Sequence, residues 1–212
     1  MKTINESDKK LIEEAVQRAE KNTSGEIVPV LVESSGLYPQ AFWRSTYLGC
    51  LLGLCVALPF YLSKTGDWQS LYSIEIFLGV ILGSLVGHFL CYIPRIKKLF
   101  IYPHEMAKEV HSAANHSFLH NNVHHTRDHT GILIYLSLFE RRVEVIADQG
   151  INKMVAQDTW SSLVKNLLMK AKSENLTLGL TEAIGVCGDI LAKNFPIKTD
   201  DTNELNNNLR NS

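Results

Sequence analysis

Two long apolar runs stand out in a chain whose remaining segments alternate regularly between hydrophobic and polar positions. Arg44 and Lys64 bracket the first run, Glu75 and Arg95 bracket the second, and neither run contains a charged residue. At about 1.5 Å of rise per residue, a helix over either run is roughly 28 Å long, which approaches the hydrocarbon thickness of a bilayer, about 30 Å. The pattern therefore predicts two membrane-spanning helices.

A short polar segment, KTGDWQS at 64–70, joins the two runs and predicts a tight turn between them. Gly79, Gly83 and Gly87 recur at every fourth position, a spacing that allows helices to pack closely in a membrane. The alternative interpretation is a pair of buried core helices, but such helices usually keep a polar face, which both runs lack. We therefore expect a transmembrane helical hairpin at 41–98, with the lipid bilayer as its partner.

Basic residues flank the outer ends of the predicted hairpin. Arg44 precedes the first run, and Arg95, Lys97 and Lys98 follow the second, whereas the single lysine of the turn is offset by an aspartate. Because the cytoplasmic loops of membrane proteins carry the excess of lysine and arginine, both flanking segments are expected on the cytoplasmic side. The chain is thus predicted to be an integral protein of an inner or plasma membrane with both termini cytoplasmic.

Periodic patterns on both sides of the hairpin predict a soluble α/β domain. Before the hairpin, a helix starts after Asn5 and a strand follows at 26–34, in which Pro29 indicates an edge position or a strand end. The apolar stripe of this helix consists of Leu11, Ile12, Ala15, Val16 and Ala19. After the hairpin, the pattern predicts in order a helix at 103–123, strands at 131–138 and 143–148, and helices at 159–171 and 176–195.

The order of these elements predicts how they assemble. The strand at 131–138 is apolar on both faces, as in a central strand, and the strand at 143–148 alternates, as in a half-exposed antiparallel neighbour. A strand, a helix and another strand in succession imply a right-handed parallel crossover. We therefore expect residues 1–40 and 99–196 to close into one α/β sandwich, with the hairpin inserted in it and a polar, extended tail at 197–212.

Composition excludes several classes of function. The chain has 212 residues and a formal net charge of −1, so it lacks the positive field of a nucleic-acid-binding protein, and no nucleic-acid partner is expected. Its four cysteines form no CxxC motif, and neither a disulfide framework nor a zinc site is predicted. The sequence also contains no glycine-rich phosphate loop, nucleophile elbow or dinucleotide fingerprint.

Four residues near the ends of predicted strands are the candidate ligand-binding residues: Asp148, Asp128, Arg127 and Glu33. Ligands of α/β sheets often bind at strand ends. Glu33 approaches the two aspartates if the first two strands are parallel neighbours, and a divalent cation such as calcium would then find carboxylate ligands. The alternative for Asp148 is a turn-forming role, in which its carboxylate bonds the local backbone. No catalytic residue is assigned.

Histidines and a charged run offer weaker candidates. His116, His120 and His124 lie at successive i+4 positions, so their imidazoles would either converge on a transition metal or form an exposed polar helix face. The charged run at 140–144 is interpreted as a solvated turn with cross-strand pairs, or alternatively as a docking surface. His88, within the second apolar run, is expected to be neutral and packed against a helix; the alternative is a functional intramembrane group.

Several of these segments resemble one known family, the TPM domains. The resemblance is carried by TRDHTGILIYLSLFERRVEVIADQGI at 126–151, by TSGEIVPVLVES at 23–34 and by GDILAKNFP at 188–196. It extends to the subfamily in which a membrane hairpin splits the domain. The resemblance implies a three-layer α/β/α sandwich with a small mixed sheet, usually tethered to a membrane.

The functions attached to TPM relatives are diverse and include photosystem II repair, receptor modulation and a weak phosphatase activity, with calcium in some members. This chain opens with NESDKKLIEE at 5–14 instead of the acidic, glycine-containing D-x-A-G-x-L of the secreted members. We therefore expect a non-catalytic, membrane-tethered interaction or accessory module that binds an unidentified protein partner and requires no cofactor. The alternative is a metal-dependent, phosphatase-like hydrolase.

Overall fold

Two compact units make up the protein in a computed structural model, which describes residues 5–63, 69–173, 176–198, 204–205 and 207–211. The first unit combines Met1–Gly36 with Ala107–Ser212, and the second is Leu37–Met106. The architecture is mixed α/β, rich in helix, with a small mixed sheet. The second unit therefore interrupts the first in sequence, and it begins four residues before and ends eight residues after the predicted hairpin at 41–98.

Elements follow one another in the order helix, strand, helices, strands, helices, strand. The helices are α1 (Glu6–Glu20), α2 (Pro39–Ser63), α3 (Gln69–Leu90), α4 (Pro94–Leu99), α5 (Pro103–His120), α6 (Gln149–Asn152), α7 (Gln157–Ser173) and α8 (Leu176–Asn194), with a short 3-10 helix at Val123–His125. The strands are β1 (Glu26–Val32), β2 (Gly131–Ser137), β3 (Arg142–Ala147) and β4 (Arg210–Asn211). Asn5 caps α1, where its backbone N–H donates to the Asp8 carboxylate over 3.0 Å.

The sheet has the strand order β3-β2-β1-β4. β1 and β2 are parallel, with Glu26 opposite Gly131 and Val32 opposite Ser137. β2 and β3 are antiparallel and are joined by a tight turn in which Arg141 adopts a left-handed backbone, with φ of 56°. The predicted parallel pair and the predicted antiparallel hairpin are both confirmed.

Alternate residues of β1 and β2 enter two separate hydrophobic clusters. Ile27 and Ile134 pack with buried residues of α1, α7 and α8, including Val16 and Leu167. The other parity packs with α5 and the 3-10 helix and consists of Val28, Val30, Val32, Leu133 and Tyr135. All residues of both strands are buried, which explains why neither strand shows an alternating sequence. Leu11 was predicted to belong to the apolar stripe by which α1 packs, but the residue is 48% exposed.

Pro29 lies in the middle of β1, so the prediction of a strand end is wrong; among the described residues β4 pairs only with Val30 and Leu31, so the side of Pro29 that faces away from β2 agrees with the predicted edge position. The backbone explains why the sheet tolerates it. The N–H of Glu26 and the carbonyl of Val32 bond the chain around β2, whereas the N–H of Ile27 bonds the Glu20 carboxylate on the opposite side. Successive residues of a strand point their backbone groups to opposite sides, so Pro29 faces away from β2, where no ladder hydrogen bond is lost.

The segment predicted as an extended polar tail is in part a component of the sheet. Arg210 and Asn211 form β4 and pair with Val30 and Leu31 of β1 in parallel. Leu209 is buried in the first hydrophobic cluster, and Leu205 packs against the second. The asparagine-rich composition concealed this docking, because two leucines and a few specific hydrogen bonds hold the segment.

In the second unit, α2 and α3 pack through glycine. A Cβ on Gly83 would lie 2.9 Å from the Gly53 Cα, and one on Gly79 would lie 2.7 Å from the Ala57 Cβ, so the two helices approach at backbone distance. The hydroxyl of Ser45 donates to the Gly87 carbonyl across the same seam. The predicted glycine spacing thus marks this contact face.

The apolar length of these two helices differs. Among the described residues one helix, Pro39–Leu62, is long and apolar enough to cross a membrane by length and composition, and a shorter apolar helix spans Ile74–Leu90. Only 17% of the most apolar stretch of Pro39–Leu62 is buried. The second predicted span, 76–94, was placed too late in the chain, because α3 ends at Leu90 and Pro94 begins α4. Most of the predicted turn falls at 64–68, outside the described residues.

An arginine–carboxylate pair ties the start of α2 to the start of α5. The Arg44 guanidinium donates to both oxygens of Glu105, over 2.8 and 2.7 Å, and to the Phe100 carbonyl over 2.8 Å. The same guanidinium lies 4.3 Å from the centre of the Tyr102 ring. The hydrogen bonds from the Arg44 guanidinium, with a further one from the Tyr102 N–H, lower the pKa of Glu105 to about 2. Arg44 was used in the sequence analysis only to predict the membrane topology. Its paired hydrogen bonds to Glu105 show that it also connects the starts of α2 and α5 within the second unit.

Candidate functional site

Asp148 directly follows β3 and caps the short helix α6. Its Oδ1 accepts the Gln149 N–H over 2.6 Å, and its Oδ2 lies 3.2 Å from the Nδ1 of His129. The carboxylate is buried, whereas the His129 ring is 64% exposed. The structure thus gives Asp148 the turn-forming role that sequence analysis kept as the alternative.

Asp128 and Arg127 lie immediately before β2, near Asp148 in the fold. A Cβ at Gly150 would lie 2.8 Å from the Asp128 carbonyl oxygen, so α6 packs directly against this loop. The Asp128 carboxylate, however, accepts from Lys198 over 2.6 Å, and the Arg127 backbone N–H donates to Glu204 over 2.9 Å. The two aspartates therefore share a neighbourhood, but their carboxylates bind different partners.

Glu33 lies far from Asp128 and Asp148, so the prediction that the three carboxylates approach one another is wrong. β1 and β2 are parallel, as that hypothesis required, but Glu33 follows the end of β1 whereas Asp128 precedes the start of β2. Asp148 lies at the same end as Asp128 because β3 is antiparallel to β2, with Ala147 opposite Ile132. At roughly 3.3 Å per residue, the length of the sheet, about 20 Å, separates Glu33 from both aspartates.

No group of three or more histidine, cysteine, aspartate or glutamate side chains among the described residues is arranged to hold a metal ion. The predicted histidine series is interrupted because α5 ends at His120 and Asn122 adopts a left-handed backbone. His116 and His120 stack with their ring centres 5.9 Å apart, but His124 packs against Phe118 instead. His88 contacts the Thr46 hydroxyl over 3.4 Å and aromatic rings, which fits its expected packing role.

The opposite end of the sheet holds a carboxylate that sequence analysis placed in solvent. Glu140 is only 4% exposed, so the interpretation of 140–144 as a solvated turn is wrong at this position. Its Oε1 accepts the Ser35 N–H over 3.0 Å and the Ser34 hydroxyl over 3.3 Å, and its Oε2 accepts the Ser137 hydroxyl. Glu140 therefore fixes the loop by which the chain leaves β1. Its neighbours Arg141, Arg142 and Glu144 concealed it in a charged run.

A second pair of carboxylates that the sequence did not reveal lies at the start of β1. Glu20 accepts the Ile27 N–H over 2.9 Å and the Asn207 side-chain amide, and Glu26, which is buried, accepts the Glu204 N–H over 2.9 Å. Burial, with the nearby Glu26 charge, raises the pKa of Glu20 to about 8, although its hydrogen bonds act in the opposite direction. Both carboxylates thus contact the segment at 204–207.

The comparisons with known proteins bear on the fold. No family model and no curated protein matches the chain. A solved structure, the NMR structure of the BA42 protein from the psychrophilic bacterium Bizionia argentinensis, is similar over 100% of this chain and 97% of its own, with a TM-score of 0.59 and 23% sequence identity. At this identity the likeness shows the fold alone. The chain therefore has a mixed α/β fold that is similar to the fold of a solved bacterial protein.

Proposed function

We propose that the protein is a membrane-tethered domain of the TPM type that acts as a non-catalytic interaction or accessory module. In this proposal α2 and α3 form a transmembrane hairpin inserted in a three-layer α/β/α sandwich, and both flanking segments lie on the cytoplasmic side of an inner or plasma membrane. The single observation that carries the proposal is the apolar outward surface of α2 and α3.

The outward side chains of these two helices are large and apolar. A soluble monomer rarely exposes so large a contiguous apolar surface, because its contact with water is unfavourable. In lipid the same surface is favourably solvated. The small residues lie between the two helices, where they allow close packing in a membrane. The large apolar side chains of α2 and α3 that are more than 40% exposed are Trp43, Tyr47, Leu48, Leu51, Leu52, Val56, Leu58, Phe60, Leu62, Ile74, Phe77, Leu78, Ile81, Leu82, Leu85, Val86, Phe89 and Leu90.

Two features support the TPM-type sandwich. The two hydrophobic clusters, one with α1, α7 and α8 and the other with α5, draw on opposite parities of the same strands. The motifs at 126–151 and 23–34 supply β2, β3 and β1, the strands around which both clusters are built. The likeness to the BA42 structure is compatible with this assignment at the level of the fold.

The engagement of the candidate carboxylates supports a non-catalytic role. Metal-assisted hydrolysis of a phosphate ester needs carboxylates that converge on an ion and an activated water. Asp128 bonds Lys198, Asp148 bonds its own helix N-terminus, and Glu33 lies at the other end of the sheet. The alternative, a hydrolase that uses a divalent cation such as calcium, would require these contacts to be broken first.

Hydrolysis of an aryl phosphate tests this proposal. We expect the detergent-purified full chain to give the same rate as buffer when Mg²⁺, Mn²⁺ or Ca²⁺ is added, because within the described part of the chain no carboxylates converge to polarise a water. The matched variant is Asp148→Asn, which keeps the size of the side chain and removes its charge. Turnover by the wild-type protein that this variant abolishes would contradict the proposal and favour the hydrolase.

A further inference from the structure

A short basic helix, α4, follows the two apolar helices of the second unit. Arg95, Lys97 and Lys98 lie within its six residues. No aspartate or glutamate occurs between Glu75 and Glu105 in the sequence, and the Glu105 carboxylate accepts two hydrogen bonds from an arginine. The helix is therefore a local concentration of positive charge in a chain whose formal net charge is −1.

One side of α4 is fixed to the start of α2. The Lys97 ammonium donates to the Leu37 carbonyl over 2.8 Å and lies 5.2 Å from the centre of the Phe42 ring. A cation this close to an aromatic face is attracted by the ring as well as by the carbonyl. These contacts orient the helix and leave its other side directed away from α2.

The outward side of α4 combines two cations with an apolar side chain. Arg95, Lys98 and Leu99 share this side, because residues three and four positions apart lie on the same helix face. Arg95 is exposed, and Leu99 is 81% exposed. A lysine ammonium has three N–H donors and can bind an anion even when another group of the protein already contacts it. This side can therefore contact a phosphate group and an acyl chain at once.

Exposed aromatic side chains mark the same end of α2 and α3. Trp43 lies near the start of α2, Tyr92 lies just after α3, Tyr102 lies just after α4, and each of the three is more than half exposed. Tryptophan and tyrosine are enriched where membrane-spanning helices leave the hydrocarbon, since their rings are apolar and carry a polar tip. If α2 and α3 span a bilayer, α4 consequently lies at the level of the lipid headgroups.

We propose that the outward side of α4, formed by Arg95, Lys98 and Leu99, binds anionic phospholipids of the cytoplasmic leaflet. The two cations contact the headgroup phosphate, and Leu99 enters the upper part of the hydrocarbon. A zwitterionic lipid offers the same phosphate together with a neutralising ammonium group, so the cations favour a lipid with a net negative charge. The inference rests on the proposed function as a membrane-tethered module and names the class of lipid that the tether selects.

Competition between two lipids tests this inference on the full chain in detergent micelles. The probes are phosphatidylglycerol and phosphatidylcholine with identical acyl chains, added in equal amounts. Native mass spectrometry counts the lipids of each kind that the protein retains. The wild-type protein should retain phosphatidylglycerol in at least fivefold excess, since each basic residue near a membrane surface contributes a preference of about fivefold for anionic lipid.

The variant Arg95→Gln with Lys98→Gln should bring this ratio close to one and keep the melting temperature of the wild type. The matched control, Lys153→Gln with Lys193→Gln, removes two exposed positive charges from the first unit and should retain the wild-type ratio. Leu99→Asn should weaken the retention of both lipids alike, because it removes the apolar contact that they share.

Glycerol phosphate in large excess separates a lipid site from a site for any phosphate compound. A soluble headgroup uses the cations but leaves Leu99 in water, so it should not displace phosphatidylglycerol. Displacement by glycerol phosphate would overturn the inference. Equal retention of the two lipids by the wild type, or an unchanged preference in the Arg95→Gln, Lys98→Gln variant, would do the same.

None of these results bears on the insertion of α2 and α3 or on phosphate-ester hydrolysis. A failure of the lipid preference is therefore distinguishable from a failure of the proposed function. Recovery of the protein in the soluble fraction of cells would overturn both.

Discussion

Replacement of Glu140 by alanine should lower the free energy of unfolding of the first unit by about 3 kcal/mol, since each buried polar group that is left without a partner costs about 1–3 kcal/mol. The Ser35 N–H and the Ser137 hydroxyl would both lose their acceptor. Ser137 is fully buried, and water cannot easily replace the carboxylate there. The measurement is urea denaturation of the detergent-solubilised protein, followed by tryptophan fluorescence.

Glu140→Gln and Glu144→Ala provide the comparison for this result. The Glu140→Gln variant retains one acceptor oxygen, so its free energy of unfolding should fall by less than that of Glu140→Ala. Glu144, whose side chain is 33% exposed, pairs with His111 over 2.8 Å, and its replacement should cost no more than about 1 kcal/mol, as for other partly exposed pairs. If Glu140→Ala and Glu144→Ala proved equally mild, the buried carboxylate would not be organising the loop after β1.

Replacement of Gly83 by leucine should separate α2 from α3. A side chain at this position meets the backbone of Gly49 and Gly53, which cannot rotate away as a flexible side chain would. Overpacking at such a contact costs about 1–3 kcal/mol and sometimes more, and the backbone contact places this variant at the upper end. We expect a lower melting temperature in detergent, with Gly83→Ala intermediate between wild type and leucine.

Val86→Leu is the matched control for the glycine seam. Val86 lies on α3 three residues from Gly83 but is 57% exposed, so added volume there meets no backbone. Its melting temperature should stay within the error of the wild type. Equal losses for Gly83→Leu and Val86→Leu would show that the helices do not pack through glycine.

The local pattern of the sequence was sufficient to predict a helix or strand wherever its buried residues recur at a regular period. β2 and β3 were predictable because one is apolar on both faces and the other alternates, and α1 because Asn5 and Asp8 form its cap. The same regularity holds in α5, in which Val110, Ala114 and Phe118 recur at every fourth position and are buried. Such patterns record how each element meets the core but contain no information on register.

The misplaced residues all depend on contacts between distant parts of the chain. Glu33 was assigned to the wrong end of the sheet because a parallel pair separates the end of one strand from the start of the next. Glu140 was assigned to solvent because its buried partners, Ser35 and Ser137, come from two different strand ends. The asparagine-rich segment was assigned to an open tail because a two-residue strand leaves no periodic signal.

The central claim, that an inserted hairpin tethers a split α/β domain to a membrane, is tested most directly by cysteine labelling with a membrane-impermeant maleimide. The native cysteines Cys50, Cys55, Cys91 and Cys187 are first replaced by alanine, and single cysteines are introduced at Gly66, in the predicted turn, and at Asn22, an exposed position after α1. In intact bacterial cells the account predicts labelling of Gly66→Cys, with Asn22→Cys labelled only after lysis. Labelling of Asn22→Cys in intact cells, failure to label Gly66→Cys there, or recovery of the protein in the soluble fraction would contradict it.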